Sequence, residues 1–342
     1  MSLDKPTSFD IAELAGVSQP TVSRALRGDR TVSEATRKRI EAIAEQLNYK
    51  VDKNASSLRR GQTRTLALLF FEDDTADDSL INPFFLAMLG SITRTCANRG
   101  YDLLVSTQQL SSNWHVDYED SRKADGIILL GYGDFTLYRA RIDRLIAQRT
   151  HFVRWGAVQA DQPSASRATI GCDNLMGGRL VAAHLADKGC KRVAFLGDAS
   201  DHYPEYADRY RGLCQGLEAA GLPVDPALQV DVSAFENEGY LAARRLMARG
   251  LAFDAVFAAS DLIATGALRA FNEAGLSVPQ DVALVGFDDI PAASQTRPPL
   301  TTIAQDYARA GIALVDALIA QIEGRAMEAQ ALPVRLVERA ST

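Results

Sequence analysis

The sequence lacks any long apolar run. No window approaches the roughly 18 apolar residues that a membrane-spanning helix needs, and Met1–Pro6 offers no apolar core for a signal peptide. We therefore expect a protein that neither crosses a membrane nor is exported, and that works in the cytoplasm.

The sequence is also poor in residues and motifs that carry enzymatic chemistry. Its four cysteines show neither CxxC nor zinc-ligand spacing, which predicts free thiols in a reducing compartment. The four histidines are scattered, and no G-x-S-x-G, P-loop or H-E-x-x-H motif occurs. Gly131-Tyr132-Gly133 begins a dinucleotide fingerprint, but position 136 is a threonine. We expect no enzyme, no metal site and no cofactor.

What the chain does have is an uneven charge. Residues 1–64 hold 12 Lys and Arg against 8 Asp and Glu, a net charge of +4. The remaining residues hold 25 against 35, a net charge of −10. At 342 residues the chain is long enough for two or three domains. A basic head on an acidic body suits a DNA-binding module attached to a domain that does not bind DNA.

The head fits three short helices over residues 8–49. Thr7 and Asp10 have the spacing of a capping box at the start of the first helix, and Gly16 ends that helix. Ser18 is predicted to cap the second helix. A helix, a glycine turn and a second helix form a device for placing side chains in the DNA major groove.

The second helix is predicted to read the bases. Gln19 and Pro20 lie in its first turn, where proline is tolerated. Gln19 can pair with adenine and Arg24 with guanine, each pair giving about 1–3 kcal/mol of discrimination. A phosphate contact is the alternative for Arg24, and an ordinary helical hairpin is the alternative for the whole segment. A third helix capped by Ser33 completes the core through one apolar face, made of Ile40, Ile43, Ala44 and Leu47.

This head resembles the LacI/GalR family of bacterial transcription regulators, and the likeness continues along nearly the whole chain. The matching residues are Asp10-Ile11-Ala12, Ala15-Gly16-Val17-Ser18, Thr21-Val22-Ser23-Arg24, Val32-Ser33, Thr36-Arg37 and Leu47-Asn48-Tyr49. In that family, the positions of Gln19, Pro20 and Arg24 choose the operator. The resemblance implies DNA contacts by Thr7, Ser18, Gln19, Pro20, Thr21, Ser23, Arg24, Ala55 and Leu58.

The resemblance also implies a hinge helix, here Ala55–Arg60, that is ordered on DNA. Leu58 occupies the position of the family's leucine wedge in the minor groove, which unstacks one base step and bends the duplex. The alternative for Leu58 is a leucine in a linker helix. Val51-Asp52 replaces the proline–asparagine pair that often follows the family's tyrosine, a departure that bears on hinge stiffness.

From Thr65 onwards, strand-like runs alternate with amphipathic helices, which predicts an α/β fold with parallel sheets covered on both faces. The strands are predicted at 66–71, 103–106, 126–130, 152–155, 192–196, 255–258 and 282–287. The helices are predicted at 84–98, 135–148, 175–188, 206–220, 238–249, 262–274 and 307–323. The resemblance implies a periplasmic-binding-protein-like body of two doubly wound lobes, with crossovers near 172, 302 and 331. The expected domains are a helix-turn-helix head (1–52), a hinge (53–64) and a ligand-binding and dimerisation body (65–342).

The same resemblance points to residues of the cleft between the lobes, where the carboxyl ends of parallel strands bind ligands. They are Asn82, Phe84, Asp173, Arg209, Phe235, Ser260 and Asp288. Asp288 aligns with the family's hydroxyl-binding carboxylate and Arg209 with its ligand-clamping arginine. A carboxylate, a guanidinium and an aromatic ring together suit a polyol. The alternatives are an interlobe ion pair for Arg209, a turn residue for Asp288 and a core residue for Phe235.

These features predict a DNA-binding regulator, a repressor of a carbohydrate-utilisation operon that a small sugar releases from its operator. Twofold symmetry of a homodimer implies a pseudo-palindromic operator. The chain ends in a strand-like segment where some relatives carry a leucine-heptad helix, which favours a dimer over a tetramer. A corepressor-type regulator, whose ligand tightens DNA binding, stays open. A sugar-binding transport receptor or an enzyme with a DNA-recruiting head fits the sequence less well.

Overall fold

The computed structural model describes residues 6–26, 28–49, 62–70, 81–107, 113–131, 133–158 and 168–342. Tertiary contacts divide the chain into two units between Thr63 and Arg64. In the described part of the chain, no helix is both long enough and apolar enough to span a bilayer.

The first unit contains helices α1 (Ser8–Ala15), α2 (Gln19–Ala25) and α3 (Glu34–Gln46). They share one small core, formed by Ile11, Ala12, Ala15, Val22, Ala25, Val32, Ile40 and Ala44. Most apolar positions of the three helices point inwards, while Phe9 and Leu14 of α1 are exposed, and the unit has the three-helix arrangement that its sequence predicts.

The predicted helix boundaries of this unit are confirmed at three places. Thr7 and Asp10 form the capping box at the start of α1. Gly16 ends α1 with a φ of 61°, a left-handed conformation that glycine adopts without a Cβ penalty. Ser33 precedes α3, and its hydroxyl accepts a hydrogen bond from the Thr36 amide at 3.3 Å.

The predicted capping bond of Ser18 is wrong, although Ser18 is the residue that precedes α2. A capping side chain accepts from the second or third amide of its helix. Here the second residue is Pro20, which has no amide hydrogen. The Ser18 hydroxyl is instead bonded to the Thr21 hydroxyl at 2.9 Å, so the two side chains satisfy each other.

The described residues of the second unit form two six-stranded sheets. The first sheet has the order β11-β5-β4-β3-β1-β2, and its pairings are parallel. Its strands are β1 (Thr65–Phe70), β2 (Asp102–Thr107), β3 (Gly126–Leu130), β4 (Phe152–Trp155), β5 (Thr169–Cys172) and β11 (Gln330–Leu332).

The second sheet has the order β12-β10-β9-β8-β6-β7, and β12 runs antiparallel to β10. Its strands are β6 (Val193–Leu196), β7 (Gln229–Val230), β8 (Ala255–Ala258), β9 (Ala283–Asp288), β10 (Thr301–Gln305) and β12 (Val334–Val337). The helices of this unit are α4 (Pro83–Arg99), α5 (Phe135–Ala147), α6 (Asn174–Asp187), α7 (Pro204–Ala219), α8 (Glu236–Ala248), α9 (Asp261–Glu273) and α10 (Tyr307–Ile322). The strands and helices predicted from the sequence are confirmed, with bounds within two residues.

Each sheet and its helices form a lobe, and the chain passes between the lobes at three places. It leaves the first lobe after β5. It returns to the first lobe after β10, since the next helix, α10, packs against α4, β3 and β4 of that lobe. It crosses again between β11 and β12, at Pro333. The Asp173 amide donates to the Leu332 carbonyl at 2.9 Å, so the first and third crossings are bonded to each other.

Candidate functional site

The first turn of α2 presents the polar side chains expected to meet DNA. Gln19 Nε2 donates to the Ser8 hydroxyl at 3.1 Å, which holds the Gln19 amide beside the start of α1. Arg24 lies exposed one turn further on, and its Nε donates to the Pro20 carbonyl at 3.3 Å. Because Val22 between them is fully buried in the shared core, α2 has one fixed inner face and one outward polar face. The arrangement can present Gln19 and Arg24 to base edges.

Other residues predicted to contact DNA make hydrogen bonds or packing contacts within this unit. The Thr7 amide and hydroxyl both donate to the Asp10 carboxylate, at 2.6 and 2.8 Å. These hydrogen bonds from Thr7 lower the pKa of Asp10. Ser23 is half-buried in α2. Ala55 and Leu58 lie outside the described residues, so their assignments stay predictions.

In the second unit, Asp288 ends β9 at the carboxyl edge of the sheet. Its carboxylate is 2% exposed and accepts a hydrogen bond from Gln305 Nε2 at 2.5 Å. Arg209 Nη1 lies 4.0 Å from the same carboxylate. The backbone φ of Asp288 is 116°, a conformation that costs a non-glycine residue free energy and that often marks functional positions.

Arg209, on α7, is fully buried beside Asp288. Its Nε donates to Asn174 Oδ1 at 2.8 Å, and its Nη1 donates to the Ala259 carbonyl. The guanidinium lies 3.6 Å from the centre of the Phe287 ring. A buried cation held by an amide, a carbonyl, a carboxylate and an aromatic face is fixed in one orientation, so the position of Arg209 is set before any ligand arrives.

Asp261 supports the Asp288 segment from inside the lobe. It is fully buried, and its carboxylate accepts from the Thr302 hydroxyl at 2.6 Å and from the Ile290 amide at 2.9 Å. Burial, together with the negative charge of Asp288, raises the pKa of Asp261 well above its ordinary value. The neighbouring Ser260 caps α9 by accepting from the Ile263 amide at 3.3 Å. Ser260 directly follows Ala259, whose carbonyl accepts a hydrogen bond from the Arg209 guanidinium.

The predicted residues of the first lobe surround the start of α4. Asn82 precedes α4, and its Oδ1 accepts from the Phe84 amide at 3.0 Å. Phe84 is buried, with its ring 6.0 Å from that of Trp155 at the end of β4. The structure thus gives Asn82 a capping contact and Phe84 core contacts.

Asp173 and Phe235 both lie at helix starts. Asp173 stands at the first crossing, and its Oδ1 caps α6 by accepting from the Met176 amide at 2.8 Å. Phe235 precedes α8 and is half-buried. The structure brings Arg209, Asp288 and Ser260 into one cluster of the second lobe, and it gives Asp173 and Phe235 contacts of their own.

The sequence reasoning missed several polar residues that complete this cluster. Asn174, Gln305 and Asp261 are each nearly or fully buried and bond Arg209, Asp288 or the segment behind Asp288. Asn174 could have been found because it directly follows Asp173 in the sequence. Gln305 gave no signal, because it ends a short strand that the sequence pattern does not predict.

Direct hydrogen bonds also join the two lobes. The Phe135 amide, at the start of α5, donates to the His202 carbonyl at 2.8 Å, and the His202 ring is 2.7 Å from Asp134 Oδ2. The Ala157 amide, after β4, donates to Glu205 Oε1 at 2.8 Å. These contacts hold the two lobes together.

The comparisons with known proteins agree with this architecture. Residues 9–52 match the model of bacterial regulatory proteins of the lacI family, and residues 182–342 match that of a periplasmic binding protein-like domain. The ribose operon repressor of Escherichia coli (strain K12) is 33% identical over 340 residues, which cover 98% of this chain and 99% of the relative. The HTH-type transcriptional regulator CelR of Thermobifida fusca is 30% identical over 336 residues, covering 97% and 95%.

Two solved structures resemble the whole chain. The lac repressor dimer bound to operator and the anti-inducer ONPF is 26% identical, covers 99% of both chains and has a TM-score of 0.80. The complex of the transcriptional regulator CelR with cellobiose is 28% identical, covers 98% of this chain and 100% of that chain, and has a TM-score of 0.71. The α/β fold, the helix-turn-helix head and the periplasmic-binding-protein-like body predicted from the sequence are confirmed. This chain belongs to the lacI family of bacterial regulatory proteins.

Proposed function

We propose that this regulator represses a carbohydrate-utilisation operon and leaves its operator when a small sugar binds between the two lobes of the body. It acts in the cytoplasm as a homodimer on a pseudo-palindromic operator. Similarity to a ribose operon repressor, to CelR with cellobiose and to a lac repressor dimer on its operator supports this proposal.

In this proposal, successive segments of the chain have different functions. Residues 1–52 bind DNA, 53–64 form the hinge, and 65–342 bind the effector and dimerise. Gln19 and Arg24 read base edges, while Thr7, Ser18, Thr21 and Ser23 add contacts around α2. Ala55 and Leu58 engage the minor groove. The basic charge of residues 1–64 supports the assignment, because phosphate contacts supply much of the affinity for DNA.

One observation carries the effector site: Asp288, an almost fully buried residue at the carboxyl end of β9, has its carboxylate beside a buried arginine. Neighbouring hydroxyls of a sugar are suitable donors, and two of them can bind one carboxylate. Ser260 and Asn82 add polar contacts, Phe84 and Phe235 cover apolar faces of the sugar, and Asp173 holds the crossing beside Asn174.

Effector and operator are coupled through the three crossings. A sugar that bonds both lobes favours the closed cleft over the open one, by as much as its affinity differs between these two states. Closure moves the first lobe, which carries the hinge, relative to its copy in the dimer. The two hinge segments then no longer fit one operator together.

Replacing Asp288 with asparagine tests this site. Asp288→Asn removes the negative charge that accepts sugar hydroxyls and leaves the head unchanged. We expect the response to effector to weaken by at least about tenfold, the value of one charge-assisted hydrogen bond, with operator affinity unchanged. The measurement is operator release, followed by fluorescence anisotropy over a panel of sugars that includes ribose and cellobiose.

The matched control is Asp187→Asn, an equal change of charge at an exposed position of α6. It should respond to effector as the wild type does. If Asp288→Asn releases operator at the wild-type sugar concentration, the assignment of Asp288 is wrong. A sugar that tightens operator binding instead would assign the corepressor mode.

A further inference from the structure

Arg154 is a buried cation whose charge the polyol site does not use. It lies in β4, next to Trp155 at the carboxyl end of the strand, and is 5% exposed. Burial lowers the pKa of Arg154, and the negative charge of Glu205 opposes that shift. An arginine stays protonated even so, and a buried cation is costly unless an anion or several acceptors compensate it.

The hydrogen bonds of Arg154 leave part of its guanidinium unused. Nε donates to the Thr169 hydroxyl at 2.8 Å, and Nη2 donates to the Ala157 carbonyl at the long distance of 3.4 Å. Both acceptors are neutral. Within the described residues Nη1 has no acceptor, and it is not fully enclosed. The two terminal nitrogens can therefore still take a strong acceptor.

The carboxylate that acts on Arg154 belongs to the other lobe. Glu205 lies in the first turn of α7, and its Oε1 already accepts from the Ala157 amide at 2.8 Å. A Cβ at Gly156 would lie 2.8 Å from Arg154 Nη1 and 3.1 Å from Glu205 Oε1. The Arg154 guanidinium and the Glu205 carboxylate thus face each other where the lobes meet, across the space that a side chain at Gly156 would fill. They do not form a direct ion pair.

We propose that Arg154 recognises an acidic group, a carboxylate or a phosphate, on the polyhydroxylated effector. This inference rests on the proposed function, because it assumes that the cleft binds a sugar. The guanidinium fork matches the geometry of an oxyanion and binds it through two parallel hydrogen bonds. Arg209 is less suited to this part, since its Nε and Nη1 already donate to Asn174 and the Ala259 carbonyl and the negative charge of Asp288 faces it.

The effector is therefore a sugar acid or a sugar phosphate whose hydroxyls bind the Asp288 cluster and whose acidic group binds Arg154. Glu205 then has a defined effect on specificity. Its negative charge repels an arriving anion, so Glu205 weakens the binding of acidic effectors. In a purely structural ion pair, by contrast, Arg154 and Glu205 would stabilise the closed cleft together.

Calorimetric titration of the full chain distinguishes recognition of an acidic effector from a purely structural pairing of Arg154 with Glu205. The probes are glucose and ribose, the carboxylates glucuronate and gluconate, and the phosphates glucose 6-phosphate and ribose 5-phosphate. We expect at least one acidic probe to bind about tenfold or more tightly than its neutral parent, since hydrogen bonds between charged groups exceed neutral ones. Carboxylates and phosphates in the panel identify which acidic group fits.

Two variants complete the test. Arg154→Gln should weaken binding of the acidic probe at least about tenfold and leave the neutral parent nearly unchanged. Glu205→Gln keeps an oxygen for the Ala157 amide and should bind the acidic probe as tightly as the wild type or more tightly. Arg179→Gln, an equal loss of charge on the exposed side of α6, is the control and should change neither affinity.

The outcomes are distinguishable. If no acidic probe binds more tightly than its neutral parent, or if Arg154→Gln and Glu205→Gln weaken binding alike, the acidic-group inference is overturned while a neutral-sugar function stands. If no sugar of either panel binds or alters operator affinity, the proposed function fails. Should Arg154→Gln not fold, as judged by circular dichroism, Glu205→Gln and the comparison of acidic with neutral probes decide the question.

Discussion

At the residue scale, the second lobe holds the buried side chains of Arg209 and Asp288 in fixed positions before a ligand binds. Arg209 has no exposed surface, and its donors are directed at Asn174 and the Ala259 carbonyl. Asp288 keeps a positive φ while Gln305 holds its carboxylate. Such constraint is characteristic of preorganised binding sites, because rotamers that are locked in advance cost no entropy when the ligand arrives.

A histidine in the contact between the lobes makes closure depend on pH. The hydrogen bond to Asp134 and its negative charge raise the pKa of His202, to which Asp198 and Asp201 also contribute. Burial opposes the lowering of the Asp134 pKa, but hydrogen bonds from Thr136 and His202 outweigh it. The charged pair is therefore complete at low pH and is lost as the pH rises through the raised pKa of His202.

We predict that effector affinity falls as the pH rises from the ordinary pKa of histidine, about 6.5, through the raised pKa of His202, because the contact between the lobes loses the charged His202–Asp134 bond. The measurement is the effector affinity at a series of pH values, in the wild type and in His202→Gln. The difference between the two pH profiles isolates His202 from His115 and His151, which lie in the first lobe. Parallel profiles would show that this bond does not stabilise the closed state.

Sequence alone identified part of this chemistry. Asp288 and Arg209 were found through family motifs, and both lie in the buried cluster. Arg154 was missed because Phe-Val-Arg-Trp looks like one more core strand, and a single charge in such a run does not reveal that it faces the other lobe. Gln305 and Asp261 were missed because their partners are distant in sequence, for example Thr302, 41 residues from Asp261.

At the scale of elements, the sequence predicted helices and central strands well. Five of the buried strands are apolar runs or nearly so, such as Gly126–Leu130 and Ala255–Ala258. The strands β5, β7, β10 and β11 were missed, and β12 was indicated only by the strand-like end of the chain. β7 has two residues, and β10 reads Thr-Thr-Ile-Ala-Gln, whose polar side chains are buried through bonds that no local pattern reveals. Pairing with a neighbouring strand, rather than propensity, makes these segments strands.

The close packing of α6 on α7 fixes the helix that carries Arg209. A Cβ at Gly212 would lie 2.1 Å from the Leu175 carbonyl oxygen, and one at Gly178 would lie 2.1 Å from the Arg209 carbonyl oxygen. Both contacts involve backbone, which cannot move aside as a flexible side chain could. The two glycines are therefore required for the helices to approach this closely.

We predict that Gly212→Ala lowers the free energy of unfolding by about 1–3 kcal/mol, the usual cost of overpacking, and weakens effector binding by displacing α7. Urea denaturation measures the stability and calorimetry the affinity. The control is Gly90→Ala, where a Cβ on α4 meets nothing within 4 Å. That change should be neutral or slightly stabilising, because alanine favours helix. Equal effects of the two substitutions would mean that close packing of α6 and α7 is not limiting.

At the scale of the whole molecule, a DNA-reading head and a two-lobed body lie in one chain. The head reads too few base pairs to select a site alone, so the proposed function needs two heads, which a symmetric dimer would supply. Three crossings link the lobes, and two of them are bonded through Asp173 and Leu332. The two lobes are therefore joined by a few chain segments. Such a connection suits rigid-body movement of one lobe against the other between two discrete arrangements.

The central claim is that effector binding and operator binding are one coupled equilibrium. Coupling between two binding sites is reciprocal: if an effector weakens operator binding by some factor, the operator must weaken effector binding by the same factor. The factor expected for such coupling is about 5–150. The most direct test is calorimetry of the effector with the dimer, free and saturated with its operator, beside operator titrations with and without effector. The account predicts the same factor in both directions; an effector affinity unchanged by operator would contradict it.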